Sequence, residues 1–101
     1  MAGFVKVAQA SEIAAGQGKC VEVEGQRIAI FNIDGTYYAI DEVCPHQAGP
    51  LSEGDVDGAV VTCPWHGWEF DVTTGVNRDD PDTILQKFAV KVEGDDILVE
   101  V

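Results

Sequence analysis

The chain has 101 residues, with 18 acidic side chains against 6 basic ones and a formal net charge of −12. That balance argues against nucleic acid as a partner, because binding it requires Lys and Arg to neutralise phosphates. The length suits one domain spanning residues 1–101, since two would each fall below the size that buries a stable core. No run of sequence approaches the roughly 20 apolar residues of a membrane span.

From the N-terminus, Phe4 to Ala8 reads as an apolar-rich strand, and Ser11 to Gly16 as a turn or a single helical turn. Met1-Ala2-Gly3-Phe4-Val5-Lys6 lacks the basic region and apolar core of a secretory signal. Lys19 to Val23 alternates in character, turns at Glu24-Gly25 and returns as Arg27 to Phe31. Asp34-Gly35 is a hairpin dipeptide, and Thr36 to Ile40 follows it as a further strand. Beyond a Cys- and His-bearing stretch, Asp57-Gly58 turns into the strand Val60 to Thr62. At the C-terminal end, Phe88 to Val92 and Ile97 to Val101 flank a hairpin at Gly94-Asp95-Asp96. Short strands punctuated by turns, with no convincing helix, predict an all-β fold built on a small antiparallel barrel or sandwich. The segment from Val43 to Gly75 is expected as an insertion at one end of it.

That segment holds the chemistry. It contains Cys44-Pro45-His46 and Cys63-Pro64-Trp65-His66, which include both histidines and two of the three cysteines of the chain. Two thiolates and two imidazoles favour an iron–sulfur cluster or zinc. Zinc fingers usually group their cysteines in one half-site and their histidines in the other, whereas here each half-site offers one of each. Sulfur can therefore hold one iron of a [2Fe–2S] unit while nitrogen holds the other. A zinc-stapled interaction module stays open as the non-redox alternative. Cys20 alternates with Glu22 and Glu24 in a strand and reads as a spare small residue rather than a ligand. With two cysteines assigned to metal, no disulfide scaffold is available, which suits a reducing, cytoplasmic setting.

The pattern C-x-H-x16-C-x2-H, with Gly49-Pro50-Leu51 and His66-Gly67-Trp68 beside it, resembles the cluster-binding signature of Rieske proteins. The likeness covers most of the chain and points to stand-alone Rieske-type ferredoxins. It implies a Rieske-like base with an inserted cluster subdomain, and one [2Fe–2S] cluster on Cys44, His46, Cys63 and His66. Cys44 and Cys63 are then expected at the buried iron, with His46 and His66 at the outer iron as the electron port. It further implies a one-electron carrier between a flavin-dependent NAD(P)H reductase and an aromatic-ring-hydroxylating oxygenase. The expected chain is monomeric and docks transiently, with neither nucleic acid nor membrane as a partner. Leu51-Ser52-Glu53-Gly54 and Asp71-Val72-Thr73-Thr74-Gly75 equally suit the small subunit of an assimilatory nitrite reductase, the second reading. Both histidines are committed to the cluster, so no mononuclear iron site remains for oxygenase chemistry. No G-x-G-x-x-G follows a strand to bind a nicotinamide cofactor. The chain is expected to be no enzyme.

The ligand set also bears on potential. Two ferric ions, two sulfides and two thiolates sum to zero charge, two units less negative than an all-cysteine cluster. Rieske centres accordingly span about −150 to +300 mV, against about −400 mV for plant-type ferredoxins. High-potential family members carry a disulfide between the cluster loops and Ser and Tyr hydroxyls on the cluster sulfurs. The matching positions are Gly49 and Trp65 for the disulfide, and Trp68 and Phe70 for the hydroxyls. The acidic run Asp79-Asp80-Pro81-Asp82 is expected in a third covering loop. All of this points to the low end of the range.

Overall fold

The computed structural model describes residues 3–23, 25–42, 50–64, 67–78, 80 and 82–100. Ten strands among them form three antiparallel sheets. The first pairs β1 (Phe4–Gln9) with β10 (Asp96–Glu100), and β10 with β9 (Val90–Glu93). The second runs in the order β2 (Gly18–Val23), β3 (Gln26–Ile33), β4 (Thr36–Asp41), β8 (Lys87–Phe88). The third is a small meander of β5 (Asp55–Asp57), β6 (Val60–Thr62) and β7 (Glu69–Asp71). The expected all-β architecture is the one observed, and its only helical turns among the described residues are 3₁₀ turns at Ala10–Glu12 and Leu51–Glu53. No helix among the described residues is long and apolar enough to cross a membrane.

Strand β3 explains how the molecule is organised. Ile28, Ala29, Ile30 and Phe31 are all buried, so this strand is covered on both faces. Side chains alternate across a strand, and that alternation divides the interior in two. Ile28 and Ile30 join Val21, Val23, Phe88, Ile97 and Val99 in the base core. Ala29 and Phe31 enter a second core with Leu51, Val61, Cys63, Phe70 and Val72. Ala39 and Ile40 of β4 divide between the two cores in the same way, so the base supports the chemistry-bearing segment through β3 and β4 together.

The chain between β4 and β8 rejoins the base at Gln86 and Lys87, later than the expected end at Gly75. Ala39 and Ile40 of β4 pair directly with Phe88 and Lys87 of β8. The Asp41 N–H donates to the Gln86 carbonyl, and the Gln86 N–H donates to the Asp41 carboxylate, each at 3.0 Å. Everything between leaves and re-enters the base at one point. The Asp34-Gly35 hairpin also forms, with φ of 52° and 90° at its two central residues, as a type I′ turn requires.

One expected strand is divided. Phe88 pairs with β4, whereas Val90 pairs with Val99 of β10, so the chain changes sheets at Ala89. Phe88, Val90 and Val92 keep one period of two throughout, and a period of two carries no information about which neighbour is paired. Strands β5 and β7 add to the expected set. Asp-Val-Asp and Glu-Phe-Asp each offer one apolar residue between two acids, too short a signal to stand out from loop sequence.

Gly75 closes the turn after β7 at φ +81°, and a Cβ there would lie 2.5 Å from the Leu85 carbonyl oxygen. Gly75→Ala therefore combines a disfavoured backbone with a clash against main chain. The expected cost is about 1–3 kcal/mol, read as a fall in thermal midpoint.

Candidate functional site

Cys63 directly follows β6 and is 1% exposed, with Leu51, Val61 and Phe70 among the residues of its core. Its backbone N–H donates to the Trp68 carbonyl at 2.7 Å, which extends the β6–β7 ladder by one rung beyond Thr62 and Glu69. The Gly67 N–H then donates back to the Cys63 carbonyl at 3.1 Å, with Gly67 at φ +78°. Main-chain hydrogen bonds thus tie Cys63 to Gly67 and Trp68. Glycine is needed at residue 67 because side chains rarely adopt that left-handed conformation.

Cys44, His46 and His66 lie outside the described residues, as do Gly49 and Trp65. The residues flanking the first Cys-His pair are well defined. The Leu51 N–H donates to the Glu42 carbonyl at 2.9 Å. The Ser52 N–H and Oγ each donate to the Glu42 carboxylate at 2.7 Å. Glu42 and Ser52 are buried, as is Leu51 in the same core as Cys63. Leu51, just after the first Cys-His segment, and Cys63, within the second, therefore share one core.

The third segment packs against the free edge of β7. Phe70 bridges to Asn77 and Val76 to Ile84, and the Arg78 N–H donates to the Glu69 carbonyl at 2.9 Å. Within the acidic run, Asp79 and Pro81 lie outside the described residues. Asp80 builds the turn: its N–H donates to Asn77 Oδ1 at 2.9 Å, and its carboxylate accepts from Thr83 Oγ1 at 2.8 Å. Asn77 is 2% exposed. Glu42, Ser52 and Asn77 are the supporting residues that reading the sequence missed. Asp41-Glu42 looks like ordinary turn charge, and neither Ser52 nor Asn77 belongs to a spacing that carries chemistry.

Trp68 and Phe70 pack with ring centroids 6.4 Å apart, Phe70 fully buried and Trp68 partly so. Packing alone thus accounts for Phe70, and neither ring carries a hydroxyl.

Cys20 stands at the surface on β2. Local desolvation, with the Glu42 carboxylate accepting from its thiol, pushes its pKa up from 9.0 to about 11. A folded-state pKa above the unfolded one contributes stability that is complete below pH 9 and lost as pH rises through about 11. Thiolate is the reactive form. Alkylation of Cys20 at pH 8 should therefore run about tenfold slower than that of a free thiol, since its scarcer thiolate is partly offset by greater nucleophilicity. The rate should climb towards pH 11; a plateau by pH 9 would contradict the shift.

A buried thiol at a closed hairpin end, in an apolar core, fits a cluster ligand well. Its burial would keep water from a thiolate–metal bond. Comparison with known proteins agrees. The Rieske [2Fe-2S] domain matches residues 3–98. The biphenyl dioxygenase ferredoxin subunit of Pseudomonas sp. (strain KKS102) is 37% identical over 99 residues, covering 96% of this chain and 91% of its own. The solved complex of reduced oxygenase and oxidized ferredoxin in carbazole 1,9a-dioxygenase contains a chain 35% identical. It superposes with a TM-score of 0.86 over 95% of this chain and 91% of that one. A chain provisionally described as the small subunit of an NADPH nitrite reductase is 26% identical, with a TM-score of 0.83 over 96% of this chain and 97% of its own. The buried thiol, the hairpin that presents it and the near-complete domain match lead to one assignment: the chain belongs to the Rieske [2Fe–2S] family and is an electron-transfer component carrying that cluster.

Proposed function

We propose that this chain is the ferredoxin of a ring-hydroxylating oxygenase system, taking one electron at a time from a flavin-dependent reductase and delivering it to the terminal oxygenase. In this reading residues 1–101 form one domain, monomeric and cytoplasmic, that docks only transiently. The observation that carries it is the buried Cys63 at its closed hairpin, in a chain 37% identical to a dioxygenase ferredoxin subunit. Cys44 and Cys63 are the thiolate ligands of the inner iron, and His46 and His66 the imidazole ligands of the outer one. When bound, the cluster supplies a reversible one-electron couple. The chain's own residues do the rest. The core around Cys63 excludes water from the sulfur side, and the main-chain closure at Cys63, Gly67 and Trp68 keeps the ligand from moving when charge changes.

The nitrite reductase reading rests on the 26% identical chain and is the weaker of the two. The zinc-module reading gives way to family membership. The discriminating experiment uses pre-reduced protein in stopped flow against two acceptors, an oxidised ring-hydroxylating terminal oxygenase and the large sirohaem subunit of a nitrite reductase. Fast one-electron transfer to the oxygenase is expected. Transfer to the sirohaem subunit alone would reverse the assignment.

A further inference from the structure

The two ligand-bearing segments are closed by different means. The second, at Cys63 to Trp68, ends a β-ladder and is sealed by backbone hydrogen bonds. The first leaves β4 at Glu42 and returns at Leu51, and no ladder crosses that neck among the described residues. Among the described residues one backbone bond spans it, from the Leu51 N–H to the Glu42 carbonyl. Two more bonds among the described residues end on the Glu42 side chain, from the Ser52 N–H and Oγ at 2.7 Å each.

Glu42 is only 5% exposed, and none of the ion pairs among the described residues includes it. A buried carboxylate is costly unless hydrogen bonds compensate it. Here the compensation comes from the neck itself. An acceptor-only group has been placed where its satisfaction depends on the neck being closed. Its charge sits two residues from Cys44 in sequence.

We infer that Glu42 is a positioning residue for the redox centre: its carboxylate latches the first ligand segment shut and sets a fixed negative charge beside it. The inference rests on Cys44 and His46 being ligands. The latch lowers the mobility of that ligand pair and so slows cluster loss. The charge disfavours the extra electron, because a nearby like charge raises the energy of the reduced state, most strongly where water is excluded.

Three variants separate latch from charge. Glu42→Gln removes the charge and replaces an accepting oxygen by a donating amide. It should raise the midpoint potential, speed cluster release to a chelator about ten- to hundredfold and increase hydrogen exchange in a peptide covering residues 50–56. Glu42→Asp keeps the charge but retracts the carboxylate by one methylene; release and exchange should rise while the potential stays near that of the parent. Ser52→Ala removes one donor and should speed release without raising the potential. If Glu42→Gln leaves potential, release and exchange unchanged in a protein whose parent holds a nitrogen-ligated cluster, this inference alone is overturned. Equal potential increases in Glu42→Gln and Ser52→Ala would overturn the charge role. A parent without such a cluster would overturn the ligand assignment first, and unchanged exchange in Glu42→Gln would still refute the latch.

Discussion

Cys63→Ser is expected to give a folded base that binds no cluster and carries no electrons. Serine presents a hard oxygen where the centre needs a soft thiolate, and the site is too enclosed for another donor to take its place. The base core does not include Cys63, so its strands should still form. Stability should nonetheless fall, because a group held only by the native state stabilises it by mass action, by about 4 kcal/mol at a thousandfold excess over its dissociation constant. For a chain of this length each kcal/mol moves the thermal midpoint by about 4–8 °C. Visible absorption, iron content and thermal midpoint should all drop together. Cys20→Ser is the matched control and should retain the colour. A Cys63→Ser protein with full iron and normal electron transfer would refute the ligand assignment.

Phe70→Ala should be the most damaging change that removes no ligand. The ring is fully buried in the core that also holds Cys63, Leu51 and Phe31. Deleting such a side chain loses its transfer free energy and leaves a cavity, together about 3–5 kcal/mol. That is a large share of the roughly 5–15 kcal/mol available to a typical domain, and should lower the thermal midpoint by at least about 12 °C. Because Phe70 lies opposite Val61 on β6, the cavity opens next to the strand that leads into Cys63, and cluster release should quicken. Ile84→Ala tests the specificity of that argument. Ile84 is 62% exposed, so its loss should change stability by no more than about 0.5 kcal/mol. Comparable losses from both variants would mean that the second core does not support the site.

The sequence made the base legible because its strands advertise themselves. Arg27 to Phe31 and Ile97 to Val99 are dense in β-branched residues, and Asp34-Gly35 admits few alternatives to a hairpin. The candidate ligands stood out for a different reason, since Cys and His are scarce in this chain and fall into two matching pairs. The supporting parts were hidden. Glu42 acts through a hydrogen-bonded neck with Ser52, ten residues away, and no local pattern marks such a pair. Strands β5 and β7 owe their existence to pairing with β6 rather than to their own propensity. The sheet change at Ala89 depends on which partner strands lie nearby, a tertiary fact that alternation cannot encode. Asp80 illustrates the converse: read as part of a charge run, it is a turn-former whose carboxylate is occupied by Thr83.

Sulfur on one iron and nitrogen on its neighbour is the claim from which the potential, the port and the role all follow. Pulsed electron–nuclear spectroscopy of the dithionite-reduced protein, grown with ¹⁵N-labelled histidine, reads that ligation directly. Strong hyperfine couplings to two histidine nitrogens are predicted. A reduced cluster showing no histidine nitrogen coupling, or protein that binds zinc and gives no paramagnetic signal, would contradict the account.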